Sequence, residues 1–405
     1  MASLIDKGPS LREHDDGLPP YLNSNFTFNL TQYEGLNYFK AYSFLETEDN
    51  ELQGINFPLE IGLHEDLNLS FFVKANQSAA ARHTKMPAVD DKETIKSLAK
   101  MASNSFLSRA NADIPLDPFD ESEEEWDEQA IRGYVYTNPS RKLVVFSIDA
   151  NVPYHTSSDV SIEADKFNNN LMFSCCCARV DFTWTPVCPC FVSGSSCNKR
   201  CLSDYAQELR SNPFSKRNQD LYASQARDLQ QDSSAHKHIP PVYYHQAVRI
   251  YKQLLKEFPE AVIWVTGYST GGALAALLGA AFPGTPAIAF ASPGERLFAS
   301  RLGLLNEEGL SKMEDLPVFH FYNSADPIPN GDCMGIFSPC YLAGYALETK
   351  CHLGKVFKLA SVSGDSFSDI QAHKLSSIIA SIDMLPLPEF VTQEDCIDCG
   401  SWAFL

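Results

Sequence analysis

A serine between two glycines is the part of this sequence with the clearest chemical potential. Ser269 lies in TGYSTGGA (266–273), a G-x-S-x-G pattern with a strand-like apolar run before it and a helix-like apolar run after it. In that context the serine occupies a sharp strand-to-helix turn, where the glycines let neighbouring backbone pass without a clashing Cβ. We predict that Ser269 is a nucleophile and that the backbone amide of Thr270 holds an oxyanion. The alternative is an ordinary serine in a glycine-rich turn.

A serine nucleophile needs a histidine base and a carboxylate that orients the histidine. Asp326 follows the apolar segment VFHFYN, so it could supply the carboxylate, although an aspartate before proline also forms turns. Two histidines follow it: His373, just before an apolar helical stripe, and His352, among cysteines. We prefer His373 as the base and keep His352 as the alternative. The predicted reaction is acyl transfer through an acyl-enzyme, which requires no metal and no cofactor.

The elements that must position these side chains alternate along the second half of the chain. Buried strand-like runs are followed by helical stripes, which is typical of an α/β fold with a mostly parallel sheet. Helices are predicted over 90–106, 244–258, 270–282, 294–305 and 370–384, and strands over 132–137, 143–149, 261–265, 286–291 and 316–322.

Regular patterns divide the chain into two regions. Residues 1–85 are polar and are interpreted as an irregular N-terminal region, and residues 86–405 as one catalytic domain with a cysteine-rich insert over 152–238. The insert holds seven of the twelve cysteines. The terminal C-x-x-C (396–399) lacks a second pair at zinc-site spacing, so disulfides are preferred. The sequence leaves their connectivity open.

Composition restricts the partners. The net charge is −19, which excludes a function centred on nucleic-acid phosphates and offers no polybasic attraction to an anionic membrane. With 44% hydrophobic residues the chain can bury a substantial core.

Glycosylation sequons indicate a compartment. Four N-x-S/T sites, at Asn25, Asn29, Asn68 and Asn76, lie within the first eighty residues, although chance sequons in Asn-rich segments are the alternative. Together with the cysteine count they favour a secretory-pathway lumen. Because the first residues carry charge and lack a secretory apolar core, we expect that a leader or anchor is missing from this chain.

Several segments together resemble the class 3 lipases. The shared motifs are GYSTGGALAALLG, AFASPGER, NSADPIP, GYALETKCHLG and DIQAHK. Within that family the chain looks most like the fungal autophagy-related vacuolar branch, on KETIKSLAKMASNSF, DKFNNNLMFSCCCARVDFTWTPVC and EDCIDCGSW.

The resemblance implies an α/β-hydrolase fold with Ser269, Asp326 and His373 as the catalytic triad. It implies hydrolysis of acyl esters of membrane phospholipids, phosphatidylserine included, and of triacylglycerol. The partner would be a phospholipid membrane or vesicle, broken down in the lumen of a vacuole or lysosome after transport through the secretory or endosomal lumen. Because an N-terminal membrane anchor is usual in the family, we expect that one is missing from this chain. Two alternatives are a lumenal esterase for small soluble esters and a catalytically weakened lipid-binding protein with a lipase fold.

Two departures from the family pattern affect the expected site. The elbow usually reads GHSLGG, so Tyr268 and Thr270 are expected to change the lining of the pocket. The strand before the insert usually ends in Gly-Thr-Ser, whose threonine supplies the second oxyanion donor, and Asn151 stands at that position.

The insert falls where the family places a lid. Three aromatic residues beside its cysteines, Phe182, Trp184 and Phe191, are candidates for lipid contact, and the alternative is that they are ordinary core residues.

Overall fold

The computed structural model describes residues 30–32, 41–43, 85–106, 131–137, 143–150, 159–177, 187–202, 242–282, 284–305, 313, 316–362 and 370–405. Within them the strands are β1 (Leu30–Gln32), β2 (Ala41–Ser43), β3 (Lys85–Pro87), β4 (Arg132–Thr137), β5 (Leu143–Asp149), β6 (Phe191–Ser193), β7 (Ser196–Cys197), β8 (Val262–Tyr268), β9 (Ala287–Phe290), β10 (Val318–Asn323), β11 (Lys355–Leu359), β12 (Val391–Thr392) and β13 (Ala403–Phe404). The helices are α1 (Lys92–Phe106), α2 (Asp159–Phe173), α3 (Tyr243–Glu257), α4 (Thr270–Ala281), α5 (Arg296–Arg301), α6 (Pro339–Ala343) and α7 (Leu375–Met384), with a 3₁₀ turn at Ile370–His373.

One large sheet organises the described part of the chain. Its order is β1-β4-β5-β8-β9-β10-β11-β12. The strands β5, β8, β9, β10 and β11 are parallel to one another, whereas β4 pairs with β5, and β12 with β11, in antiparallel fashion. This confirms the predicted α/β fold with a mostly parallel sheet. The central strands are continuously apolar because both of their faces are covered.

Helices cover the two faces of the sheet, and alternate side chains of β5 show the division. Val144 and Phe146 pack into one core with α2, α3 and α4. Val145, between them, packs into a second core with α1 and α7. The apolar stripes predicted for the first and last helices are the residues that line this second core.

The largest departure from the sequence prediction lies in the insert, where no regular pattern was expected. Helix α2 occupies 159–173, and its C-terminal half is buried. Asparagine is a weak helix former, so the run Asn168–Asn170 concealed the helix. The element predicted over 294–305 is shorter, and the one predicted over 370–384 begins with the 3₁₀ turn. The predicted irregular region 1–85 lies almost wholly outside the described residues.

All twelve cysteines are disulfide-bonded, which confirms the preference for disulfides over zinc. The three consecutive cysteines have three different partners. Two of the bridges pin the C-terminal segment to the body of the domain. The pairs are Cys175–Cys399, Cys176–Cys197, Cys177–Cys188, Cys190–Cys201, Cys333–Cys340 and Cys351–Cys396.

Candidate active site

Ser269 occupies the turn between β8 and α4 in a conformation that non-glycine residues seldom adopt. Its φ is 55° and its ψ is −123°. A Cβ on Gly267 would lie 2.4 Å from the carbonyl of Gly271, and a Cβ on Gly271 would lie 2.2 Å from the carbonyl oxygen of Ile148. Both glycines are therefore needed for the turn to pack against its own helix and against β5. Backbone strain held by such packing is typical of functional turns.

Three side chains that are distant in the sequence meet beyond the ends of the strands. Ser269 follows β8, Asp326 follows β10, and His373 lies in the 3₁₀ turn before α7. The Nε2 atom of His373 is 3.1 Å from the Oγ of Ser269, and its Nδ1 is 2.8 Å from Oδ2 of Asp326. With the proton on Nδ1 donated to the carboxylate, Nε2 is free to accept the serine proton.

The carboxylate of Asp326 is fixed by its own loop. Its second oxygen, Oδ1, accepts a hydrogen bond of 3.0 Å from the amide of Ile328. The side chain of Asn330 donates to the carbonyl oxygens of Asp326 and Ser324, at 2.6 and 3.0 Å. Asp326 is fully buried. The orientation of His373 is thus set by a group that has little freedom to move.

The alternative base, His352, has different neighbours. It is fully buried, with Nε2 3.0 Å from the carbonyl oxygen of Ser292 and Nδ1 3.2 Å from Oε1 of Gln393. Burial, assisted by the neighbouring His320, lowers the pKa of His352. The geometry therefore favours His373 over His352 as the partner of Ser269.

The Thr270 side chain contacts the insert helix α2 in the interior. Thr270 is buried, and its hydroxyl donates a hydrogen bond of 2.8 Å to Oδ1 of Asn169 on α2. The amide of Asn169 in turn donates to the carbonyl and to Oδ1 of Asp165, at 2.9 and 3.0 Å. A buried polar chain consequently ties the insert helix to the residue whose backbone amide follows the nucleophile.

Tyr268 supports the histidine from the other side, a contact that the sequence did not reveal. Its hydroxyl donates a hydrogen bond of 2.9 Å to the carbonyl oxygen of His373, and the two rings lie 5.1 Å apart. Burial, reinforced by the carboxylate of Asp326, raises the pKa of Tyr268, which keeps the hydroxyl a donor. The sequence signal for this contact was that Tyr268 stands where the family elbow usually has a histidine.

Asp165 is the most unusual titrating group near the site. Burial, together with the charge of Asp149, raises its pKa from 3.8 to about 7, although hydrogen bonds from Tyr345 and Asn169 oppose the shift. Below about pH 7 the carboxyl is therefore mostly neutral.

An exposed apolar loop follows the Asp326 segment. We call residues 333–343, closed by the Cys333–Cys340 disulfide, the disulfide loop. Ile336, Phe337 and Leu342 are 62%, 86% and 70% exposed. Just beyond the loop, Asn170 of α2 donates 3.2 Å to the carbonyl of Gly344 and accepts 2.6 Å from the amide of Ala346. Because Asn169 on the same helix contacts Thr270, the loop is anchored beside the candidate site.

Several of the predicted site residues fall in parts of the chain that the structure does not describe. Asn151, Phe182 and Trp184 lie outside the described residues, as do Asn25, Asn29, Asn68 and Asn76. Phe191 lies on β6, partly exposed, with its ring against that of Trp402 at 6.5 Å.

Fold and site together define the class of protein. A mostly parallel sheet flanked by helices, a serine on a strand-to-helix turn, and an aspartate and a histidine later in the chain make this an α/β-hydrolase fold.

Comparison with known proteins shows which family the chain is similar to. The family model for lipase (class 3) matches residues 193–331, which include Ser269 and Asp326. A Saccharomyces cerevisiae (strain YJM789) protein named "Putative lipase ATG15" is 38% identical over 337 residues, covering 79% of this chain and 57% of the relative. A Pichia angusta protein of the same name is 37% identical over 332 residues, covering 79% and 55%. These matches confirm the resemblance to the class 3 lipases.

The matched lengths differ between relatives and solved structures. The chain spans a little over half the length of the curated relatives. Among solved structures, Lip2 lipase from Yarrowia lipolytica is 13% identical with a TM-score of 0.32, covering 73% of this chain and 91% of Lip2. Among the described residues, no helix combines the length and the apolar character that crossing a membrane requires.

Proposed function

We propose that this protein is a serine hydrolase that cleaves acyl esters of lipids through a covalent acyl-enzyme. The observation that carries the proposal is the hydrogen-bonded chain from Ser269 through His373 to Asp326. Family membership of the relatives supports the same activity.

The proposed cycle uses the three side chains of the triad, and His373 acts in both halves of it. His373 accepts the proton of Ser269 as the serine oxygen attacks the ester carbonyl, and Asp326 holds the imidazolium that forms. The amide of Thr270, at the N-terminal end of α4, stabilises the oxyanion, and the region of Asn151 supplies a second donor. His373 then protonates the leaving alcohol. Water, deprotonated by the same histidine, releases the fatty acid and restores Ser269.

We propose that the substrates are membrane lipids, phosphatidylserine included, and triacylglycerol, rather than small soluble esters. The exposed apolar side chains of the disulfide loop support this, because they can enter a lipid surface beside the site without any basic residue. We place the activity in the lumen of an acidic vacuole or lysosome, where internal vesicle membranes are broken down. Six disulfides are consistent with such a compartment.

The decisive experiment measures fatty-acid release from phosphatidylserine vesicles by the wild type and by Ser269→Ala, together with labelling by a fluorophosphonate. The wild type should be labelled and active, and Ser269→Ala neither. His373→Gln should lose activity, whereas His245→Gln, which removes a partly buried histidine of α3, is the matched control and should retain it. Faster turnover of short soluble esters than of vesicles would favour a soluble esterase. Lipid binding without labelling would favour a lipid-binding protein instead.

A further inference from the structure

A second cluster of chemically active side chains lies in the interior and takes no part in the proposed cycle. Glu295 follows β9, His320 lies within β10, and His352 precedes β11. All three are fully buried, and each offers a ligand atom within 4.8 Å of the others. A buried carboxylate and two imidazoles form a donor set that first-row metal ions bind well.

The contact between Glu295 and His320 has the geometry expected of two ligands of one ion. The Nε2 atom of His320 is 3.2 Å from Oε1 of Glu295, yet neither ring nitrogen of His320 has a hydrogen-bond partner. Two ligands that are each about 2.0 Å from one tetrahedral ion lie about 3.3 Å apart, with their lone pairs directed at the ion. An unpartnered imidazole in the core is otherwise costly.

The surroundings of His352 also require a cation. Its Nε2 faces the carbonyl oxygen of Ser292 at 3.0 Å, and its Nδ1 faces Oε1 of Gln393 at 3.2 Å. Gln393 cannot turn its amide without loss, because the same Oε1 accepts 2.7 Å from the backbone amide of His352. A neutral imidazole has one N–H, so one of the two contacts brings lone pairs together.

We propose that Glu295, His320 and His352 form a closed structural site for a divalent transition-metal ion, most suitably Zn²⁺, with the Ser292 carbonyl as an additional oxygen ligand. Nδ1–H of His352 would then donate to Gln393, the arrangement usual behind a metal-bound histidine. The amide of Leu353 already holds Oε1 of Glu295 at 2.8 Å. Burial leaves no open position for substrate, so the ion is structural and separate from the hydrolysis.

The ion would stabilise the segments around β10, the strand that leads into the loop of the catalytic Asp326. β10, which carries His320, leads directly into the loop of Asp326. Gln393 belongs to the C-terminal segment, which the Cys351–Cys396 disulfide also attaches beside His352. The metal would therefore join strand β10 to the loop that follows β9 and to the loop that precedes β11, with the C-terminal segment held against the latter through Gln393.

The test is the metal content of the oxidised protein, purified near neutral pH and dialysed, measured by inductively coupled plasma mass spectrometry. We expect about one zinc ion per chain in the wild type. His320→Gln should lose it, whereas His245→Gln, which removes a partly buried histidine whose ring nitrogens also lack hydrogen-bond partners, should keep it. Gln393→Ala should weaken binding by about 10–100-fold.

Wild-type protein treated with a chelator provides a measurement that does not depend on any variant folding. Added Zn²⁺ should raise its Tm, and added Co²⁺ should give the visible absorption of a tetrahedral site. A wild type that is purified without metal and binds neither ion would overturn the proposal and leave a proton as the missing cation. Metal content in His320→Gln and Glu295→Gln equal to that of the wild type would overturn it as well.

Discussion

Asp165→Asn should make the stability of the protein less dependent on pH. In the folded protein the pKa of Asp165 is about 7, because burial and the nearby Asp149 disfavour the carboxylate, against an ordinary value of 3.8. Between these two values the folded state holds a proton that the unfolded state has released. This contribution to stability is complete below about pH 4 and is lost as the pH rises towards 7.

The size of the effect follows from the same two values. Each pH unit within the window costs about 1.4 kcal/mol, so the wild type should lose about 2 kcal/mol from this group between pH 5 and pH 7. Asparagine has nearly the same shape as aspartate and no titration. The variant should therefore lose about 2 kcal/mol less than the wild type over that range.

Urea unfolding of the oxidised protein at pH 5, 6 and 7 measures this difference. Other titrating groups contribute equally to both proteins and cancel in the comparison. Glu163→Gln removes an exposed carboxylate from the same helix and should follow the wild type. Parallel loss of stability in the wild type and Asp165→Asn would refute the reasoning. The expected result would mean that the buried polar groups beside Thr270 make the folded protein more stable at acidic than at neutral pH.

The remaining predictions concern the site and the proposed lipid surface. Tyr268→Phe keeps the aromatic ring against His373 but removes the hydrogen bond from the tyrosine hydroxyl to the carbonyl oxygen of His373. We expect kcat on a soluble ester to fall roughly fivefold, which corresponds to about 1 kcal/mol, with KM unchanged. An unchanged kcat would contradict a positioning role for Tyr268. Thr270→Val leaves Asn169 without its donor and should lower the free energy of unfolding by about 1–3 kcal/mol, while fluorophosphonate labelling persists because the backbone amide remains. Phe337→Ser should weaken activity on vesicles roughly tenfold and leave a soluble ester unaffected, since burying one such side chain in lipid is worth about 1.5–3 kcal/mol. Leu255→Ser, on the exposed face of α3, is its control, and equal losses in both variants would argue against the disulfide loop as the lipid contact.

The sequence predicted what depends on short segments. Ser269 was recognisable because the elbow requires two glycines at fixed spacing, and the strands around it because a covered sheet leaves continuous apolar runs. The order of nucleophile, acid and base along an α/β-hydrolase chain limited the candidate bases to the two histidines that follow Asp326. The choice between His373 and His352 came from the structure. Nε2 of His373 faces the Oγ of Ser269, whereas Nε2 of His352 faces the carbonyl oxygen of Ser292.

What the sequence could not predict depends on tertiary burial. Disulfide connectivity is a matter of which loops meet, so twelve cysteines gave only the expectation that they pair. The sequence analysis predicted no helix within the insert, yet α2 forms there and Asp165 and Asn169 lie in the core. The burial of Asp165 and Asn169 depends on the tertiary contact between α2 and Thr270, which local sequence patterns do not reveal.

The three asparagines of α2 explain why a polar helix is buried here. Asn168 accepts 2.7 Å from the amide of Tyr243 at the start of α3, where Val242 offers no side-chain cap. Asn169 accepts from the hydroxyl of Thr270, and Asn170 pairs with the backbone just after the disulfide loop. Each amide both donates and accepts, so one helix satisfies polar groups on three other segments that would otherwise be buried alone. Through α2, the cysteine-rich insert therefore contributes a structural element beside the candidate site.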